Sequence, residues 1–140
     1  KGVVFMRMTY GKRLAGAVLA ACVTLTAGLA QAIEIKPFEA ATFEAAKTAG
    51  KPVVVDVTAS WCSTCQAQQR IIGDLAKKTE FADVLVLQID VDTQKDEMRS
   101  LGAQNRSTLI AFSGPTETKR TVGDTNAKSV EALFATTLTR

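Results

Sequence analysis

The 140-residue chain has no histidine, and only three cysteines, three prolines, one tryptophan and one tyrosine. Each scarcity excludes something. A structural zinc site draws four ligands from cysteine, histidine or carboxylates. Here no imidazole and no second cysteine pair exist to complete one, so carboxylates or a second subunit would have to. A copper site meets the same shortage. Aromatic residues make up 6% of the chain and no basic stripe runs through it, which argues against nucleic-acid binding. No repeat and no low-complexity run is present. What is there is a hydrophobic content of 46%, the composition of a folded globular protein rather than a disordered one. The length suits a single domain with its own core.

The formal charge of +3 is unevenly placed. Lys1, Arg7, Lys12 and Arg13 precede the apolar run "LAGAVLAACVTLTAGLA" (Leu14 to Ala30), which ends in Ala30-Gln31-Ala32. A basic stretch, an apolar run and an A-x-A site make up a secretory signal. The expectation is export, with residues 1–32 removed and residues 33–140 forming the mature domain. An uncleaved anchor is a second reading, although the run is short of the roughly 20 apolar residues of a membrane span. A lipoprotein is a third, because "LAAC" (Leu19 to Cys22) resembles a bacterial lipobox. Without the four leading cations, 17 − 4 = 13 basic residues face 14 acids, a net charge of −1.

Within the mature domain, "TFEAAKTAG" (Thr42 to Gly50) reads as a short helix, and "VVVDV" (Val53 to Val57) as a strand buried on both faces. A helix is expected to start near Cys62. "VLVLQID" (Val84 to Asp90) reads as a second buried strand, followed by a helix around residues 94–101. "STLIAF" (Ser107 to Phe112) reads as a third strand, and Ser113-Gly114-Pro115 as a turn. An edge strand near residues 119–122 should follow, with a final amphipathic helix carrying Val130, Leu133, Phe134 and Leu138. The expected order is α-β-α-β-α-β-β-α, an α/β domain whose parallel βαβ unit is joined to a hairpin.

Two of the cysteines, Cys62 and Cys65, lie in "DVTASWCSTCQAQQ" (Asp56 to Gln69). A disulfide across so small a loop removes little entropy from the unfolded chain, so a structural staple explains the pair poorly. A redox pair explains it better. It stands where a buried strand gives way to a helix, on the carboxyl edge of the sheet where α/β folds keep their sites. Near the helix start, unpaired N–H groups and the helix dipole favour a Cys62 thiolate, the species that attacks. Cys65 lies one helical turn further on, placed to resolve a mixed disulfide on Cys62. Trp61 is either an apolar shoulder beside the nucleophile or ordinary packing. Asp56, inside the strand, should point beneath the helix. Burial would raise its pKa toward the range useful for accepting the Cys65 proton, the alternative being a strand-end cap on a loop.

The stretch "VVVDVTASWCSTC", together with "QIDVD", "STLIAF" and "TVGDTN" in order, resembles the thioredoxin superfamily. The similarity runs from about Phe38 to Leu138. It is most like exported bacterial members, such as the C-terminal domain of the membrane thiol:disulfide interchange reductase. The resemblance implies a thioredoxin fold, a central mixed β-sheet flanked by helices in a single domain. It also implies Cys62 as attacking thiol, Cys65 as resolving thiol and Asp56 as buried acid, with no cofactor beyond the Cys62–Cys65 redox couple.

Three departures stand out. Ser107 occupies the place of the family's cis-proline, and a cis bond before a non-proline residue costs about 2.5–4 kcal/mol, so a trans Arg106–Ser107 peptide is expected. Ser107 could then offer its hydroxyl to substrate or to a cysteine sulfur. Ser63-Thr64 between the cysteines contain no histidine, which favours a reductase or isomerase over a strong oxidant. Gln66 follows Cys65 where lysine is frequent, and Val86 and Gln88 stand where a lysine would partner Asp56. Trp61, Arg106, Ser107 and Thr108 are expected to line the substrate site. The partners implied are protein substrates and a separate membrane electron-transfer protein. The competing reading is a metal- or iron–sulfur-cluster-binding dimer using the same two thiols.

Overall fold

The computed structural model describes residues 32–139; the apolar run with Cys22, and the signal reading built on it, lie outside them. Five strands and four helices follow one another as β1 (Glu34–Pro37), α1 (Ala40–Thr48), β2 (Pro52–Thr58), α2 (Ser63–Leu75), β3 (Leu85–Asp90), α3 (Lys95–Ser100), β4 (Thr108–Ser113), β5 (Thr116–Val122) and α4 (Ala127–Thr136). A 3-10 turn at Thr79–Phe81 leads into β3. The sheet is mixed, in the order β1-β3-β2-β4-β5. β1 and β2 run parallel to β3, and β4 is antiparallel to β2 and β5.

The expected element order lacked β1. Its four residues, Glu-Ile-Lys-Pro, are all exposed, so no alternation of apolar and polar side chains betrays a strand. It is held by its pairing with β3 at the sheet edge, with Glu34 opposite Leu85 and Pro37 opposite Gln88. Proline is tolerated at such an edge because no inner neighbour needs its missing N–H. The other elements fall close to their expected spans. Gly50 follows α1 at φ 70, a conformation glycine adopts without cost, and Pro52 opens β2 at once.

β2 sits at the centre of the sheet, and its side chains alternate between two cores. Val53, Val55 and Val57 pack with Phe43, Ala46, Leu87, Ile110 and Phe112 on the side of α1 and α3. Val54 packs with Ile72, Leu75, Val86, Leu109, Leu133 and Phe134 on the side of α2 and α4. Each fully buried valine or leucine contributes about 1.5–3 kcal/mol of hydrophobic free energy. By the same alternation Asp56, two residues after Val54, faces the side of α2.

Candidate active site

β2 ends at Thr58, and the short Ala59–Trp61 connection delivers Cys62 to the start of α2. Two bonds fix this turn: the Cys62 N–H donates to the Ala59 carbonyl (3.1 Å) and Gln66 Nε2 to the Ser60 carbonyl (2.9 Å). Cys62 is the N-cap residue itself, with extended backbone (φ −92, ψ 110). Its sulfur accepts from the Cys65 N–H at 3.2 Å, satisfying one of the donors that every helix start leaves unpaired. Both cysteines are free thiols. Cys62 retains 5% of its surface exposed and Cys65 none, so the outer sulfur is the one a substrate can reach.

Ser107, just ahead of β4, closes the site from the opposite side. Its hydroxyl lies 3.3 Å from the Cys62 sulfur and 3.2 Å from the Cys65 sulfur. The peptide before it is trans, as expected, since none of the described residues has a cis bond. Instead Ser107 adopts φ 59, and it is the one non-glycine among the described residues in the left-handed region. Such a conformation costs of order 1–3 kcal/mol and persists where the surroundings over-determine it. They do so here through three bonds. The Ser107 N–H donates to the Val57 carbonyl (2.7 Å), and its own carbonyl accepts from the Gly123 N–H (2.8 Å) and from Gln68 Nε2 (3.1 Å).

Gln68 did not figure among the expected site residues. It is fully buried on the inward stripe of α2 with Cys65, Ile72 and Leu75. Its Nε2 also donates to the Asp124 carbonyl (3.0 Å), tying α2 to the loop after β5. A glutamine at i+3 from Cys65, on the face that otherwise carries apolar residues, was the available signal.

Two shifted titrations mark the site. For Cys62, burial pushes the thiol up, but the Cys65 thiol, the Ser107 hydroxyl, the Cys65 N–H and the Arg106 side chain together bring it down to about 7. For Asp56, burial dominates and the Gln88 hydrogen bond only partly offsets it, leaving a pKa of about 6. Gln88, directly opposite in the β2–β3 register, donates Nε2 to Asp56 Oδ2 at 3.0 Å, in the position where no lysine was found. Asp56 Oδ1 is buried with no hydrogen-bond partner, and the Cys65 sulfur bonds to Ser107, not to Asp56.

The expected substrate residues separate into two groups. Trp61 and Arg106 are on the surface beside Cys62: the indole Nε1 donates to Asp92 (2.8 Å) and the guanidinium stacks 4.9 Å from the ring centroid. A cleft of about 450 Å³ opens next to them, lined also by Val91, Met98 and Lys95. Thr108 lies elsewhere. It is buried, its hydroxyl donates to the Asn105 carbonyl, and its backbone lies in the β4 ladder, so its side chain does not reach the cleft.

The thioredoxin family pattern matches residues 34–136. The chain belongs to the thioredoxin family. It is 36% identical over 88 residues to the thioredoxin of Mycobacterium tuberculosis, an alignment covering 62% of this chain and 72% of that one. It is 35% identical over 81 residues to the H-type thioredoxin of Fagopyrum esculentum, covering 58% and 68%. The crystal structure of Trxlp from Edwardsiella tarda is similar with a TM-score of 0.70 and 31% identity, covering 72% of this chain and 98% of that one. The protein is therefore a thioredoxin-family disulfide oxidoreductase with a Cys62-x-x-Cys65 pair. Among the described residues no group of three histidine, cysteine, aspartate or glutamate side chains stands together in a way that could hold a metal ion.

Proposed function

We propose that this protein is an exported oxidoreductase that reduces disulfides in protein clients of the periplasm. The observation that carries the chemistry is the set of hydrogen bonds converging on the Cys62 sulfur, which hold it near pKa 7 and supply thiolate at neutral pH. The Cys62 thiolate attacks one sulfur of the client disulfide. A mixed disulfide forms and the client's other sulfur leaves as a thiolate, which takes up a proton. Cys65 then loses its proton and attacks the Cys62 sulfur. The second client thiolate departs and the Cys62–Cys65 disulfide remains, two electrons having passed to the client.

In this reading Asp56 is the buried acid of the second step. It makes no hydrogen bond to Cys65, so it takes up that thiol's proton through an intervening water. Trp61 and Arg106 form the client's first contact surface. Ser107 borders that surface from the buried side.

Export is supported by the apolar run between Lys12-Arg13 and Ala30-Gln31-Ala32. Outside the cytoplasm, electrons come from a separate membrane protein that re-reduces the pair. The reducing direction is supported by Ser63-Thr64, which offer no imidazolium to stabilise the thiolate further. The reduction potential tests it. A value near that of thioredoxin, about −270 mV, is expected, and one near −120 mV, that of a strong periplasmic oxidant, would reverse the direction. Fusion of residues 1–40 to a reporter active only after export tests the location.

A further inference from the structure

Ser107 bonds at nearly equal length to two sulfurs that carry negative charge at different moments. In the dithiol, the charge sits on Cys62. Once Cys62 is tied up in a mixed disulfide it carries none, and the sulfur that must ionise is Cys65. A hydroxyl has one proton to donate and rotates freely about its C–O bond. From 3.3 Å and 3.2 Å it can turn that proton to either sulfur without moving its oxygen.

We propose that Ser107 is a catalytic residue, a switchable hydrogen-bond donor that stabilises the Cys62 thiolate in the first step and the Cys65 thiolate in the second. This rests on the exchange reading above and adds a role for the residue that stands in place of the family's proline. No bond to Ser107 forms or breaks, and its proton stays on its oxygen. The proton that Cys65 loses goes to solvent or to Asp56.

The backbone around Ser107 supports this role. The strained φ of 59 places the hydroxyl over the cysteine pair, and three hydrogen bonds to the neighbouring segments hold it there. Two of the anchors lie outside the helix that carries the cysteines: the Val57 carbonyl belongs to β2 and the Gly123 N–H follows β5. These bonds fix the Ser107 backbone, and with it the place from which the hydroxyl reaches both sulfurs. Besides the Cys62 thiol, no other side chain among the described residues hydrogen-bonds the Cys65 sulfur. The other charged groups around the pair are Arg106, which favours the Cys62 thiolate, and Asp56, on the sheet face beneath α2.

One consequence separates this arrangement from a passive contact. The disulfide has no charged sulfur to accept from Ser107, so the hydroxyl stabilises the dithiol form selectively. Its removal makes the couple harder to reduce.

The experiment compares wild type with Ser107→Ala in three measurements. The Cys62 pKa is read from thiolate absorbance, the Cys65 pKa is read the same way in a Cys62→Ala background, and the reduction potential is measured against glutathione. A charge-assisted hydrogen bond is about twice as strong as a neutral one. Its loss is expected to raise each thiol pKa by about one unit, a tenfold change, and to lower the potential by up to about 30 mV, the full shift appearing at pH values where Cys62 is ionised. Unchanged pKa values at both sulfurs would overturn the proposal. A rise at Cys62 alone would overturn the switch, leaving Ser107 a fixed donor. Ser107→Gly removes the same hydroxyl in a residue that adopts φ 59 freely, and it gives the same readings should the alanine variant not fold. Failure of the exchange reading is visible separately, since Cys65→Ser would then trap no mixed disulfide with a client protein while the two thiol titrations still report on Ser107.

Discussion

The two faces of the central sheet are built from the same strands and serve opposite ends. On the side of α1 and α3, Phe38, Phe43 and Phe112 pack against Val53, Val55 and Val57, with ring centroids 5.4 and 5.1 Å apart along the phenylalanine chain. The one buried polar side chain that strand alternation puts on this face, Thr108 at the start of β4, is satisfied by the Asn105 carbonyl. On the side of α2 and α4 the core of Ile72, Leu133 and Phe134 gives way, toward the carboxyl end of β2, to Asp56, Gln68 and the cysteines. Two buried polar atoms there, Asp56 Oδ1 and Gln68 Oε1, have no partner. Natural cores rarely leave such atoms unmatched. The first face is where stability is made, and the second is where some of it is given up for chemistry.

The sharpest test of that contrast is a large truncation on the first face. Phe43→Ala should destabilise by about 3–5 kcal/mol in denaturant unfolding, the cost of a cavity in a closed core. The Cys62 pKa should stay near 7, since no residue of that cluster bonds to the pair.

Asp56→Asn should do the opposite and stabilise. With its pKa raised from 3.8 to about 6, Asp56 binds a proton more tightly in the folded state, so stability falls as pH rises through that window. Two units correspond to up to about 3 kcal/mol above pH 6. Unfolding at pH 8 should show most of that gain, and the fall between pH 4 and 6 should disappear. A wild-type stability flat across that range would break the comparison.

A smaller effect is expected at Gln68. Gln68→Leu keeps the volume but removes two donors from the Ser107 and Asp124 carbonyls, at a cost of about 1–3 kcal/mol. Freed from that anchor, the Ser107 hydroxyl should hold the sulfur less well and the Cys62 pKa should rise. At the far end of the scale, Lys77→Ala breaks a fully exposed, solvent-screened ion pair with Asp74 and should leave the denaturant midpoint essentially unchanged.

Much of this was legible in the sequence because burial writes itself into residue type. The β-branched run of β2 and the apolar run of β3 have to be hidden on both faces, and Asp56 is conspicuous because it breaks such a run. The Cys62–Cys65 spacing announces its chemistry, and Ser107 stood out against the resemblance to the family. β1 was not legible, since backbone pairing alone places it and its four side chains all face solvent. The placement of the Thr108 side chain was not legible for a related reason: proximity to Ser107 along the chain says nothing of which way its hydroxyl turns, and it turns into its own loop. Gln68 was hidden because its partners are carbonyls 39 and 56 residues away. The local pattern shows only a polar residue on an apolar helix face, not the long-range carbonyls it anchors.

The central claim is that Cys62 attacks and Cys65 resolves. Cys65→Ser leaves the first step possible and blocks the second. Incubated with a disulfide-containing client protein, the variant should accumulate a mixed disulfide through Cys62 that dithiothreitol releases, while Cys62→Ser accumulates none. Failure of Cys65→Ser to trap any adduct, together with stoichiometric metal bound by both thiols in the purified wild type, would contradict the account and favour a metal- or cluster-binding dimer.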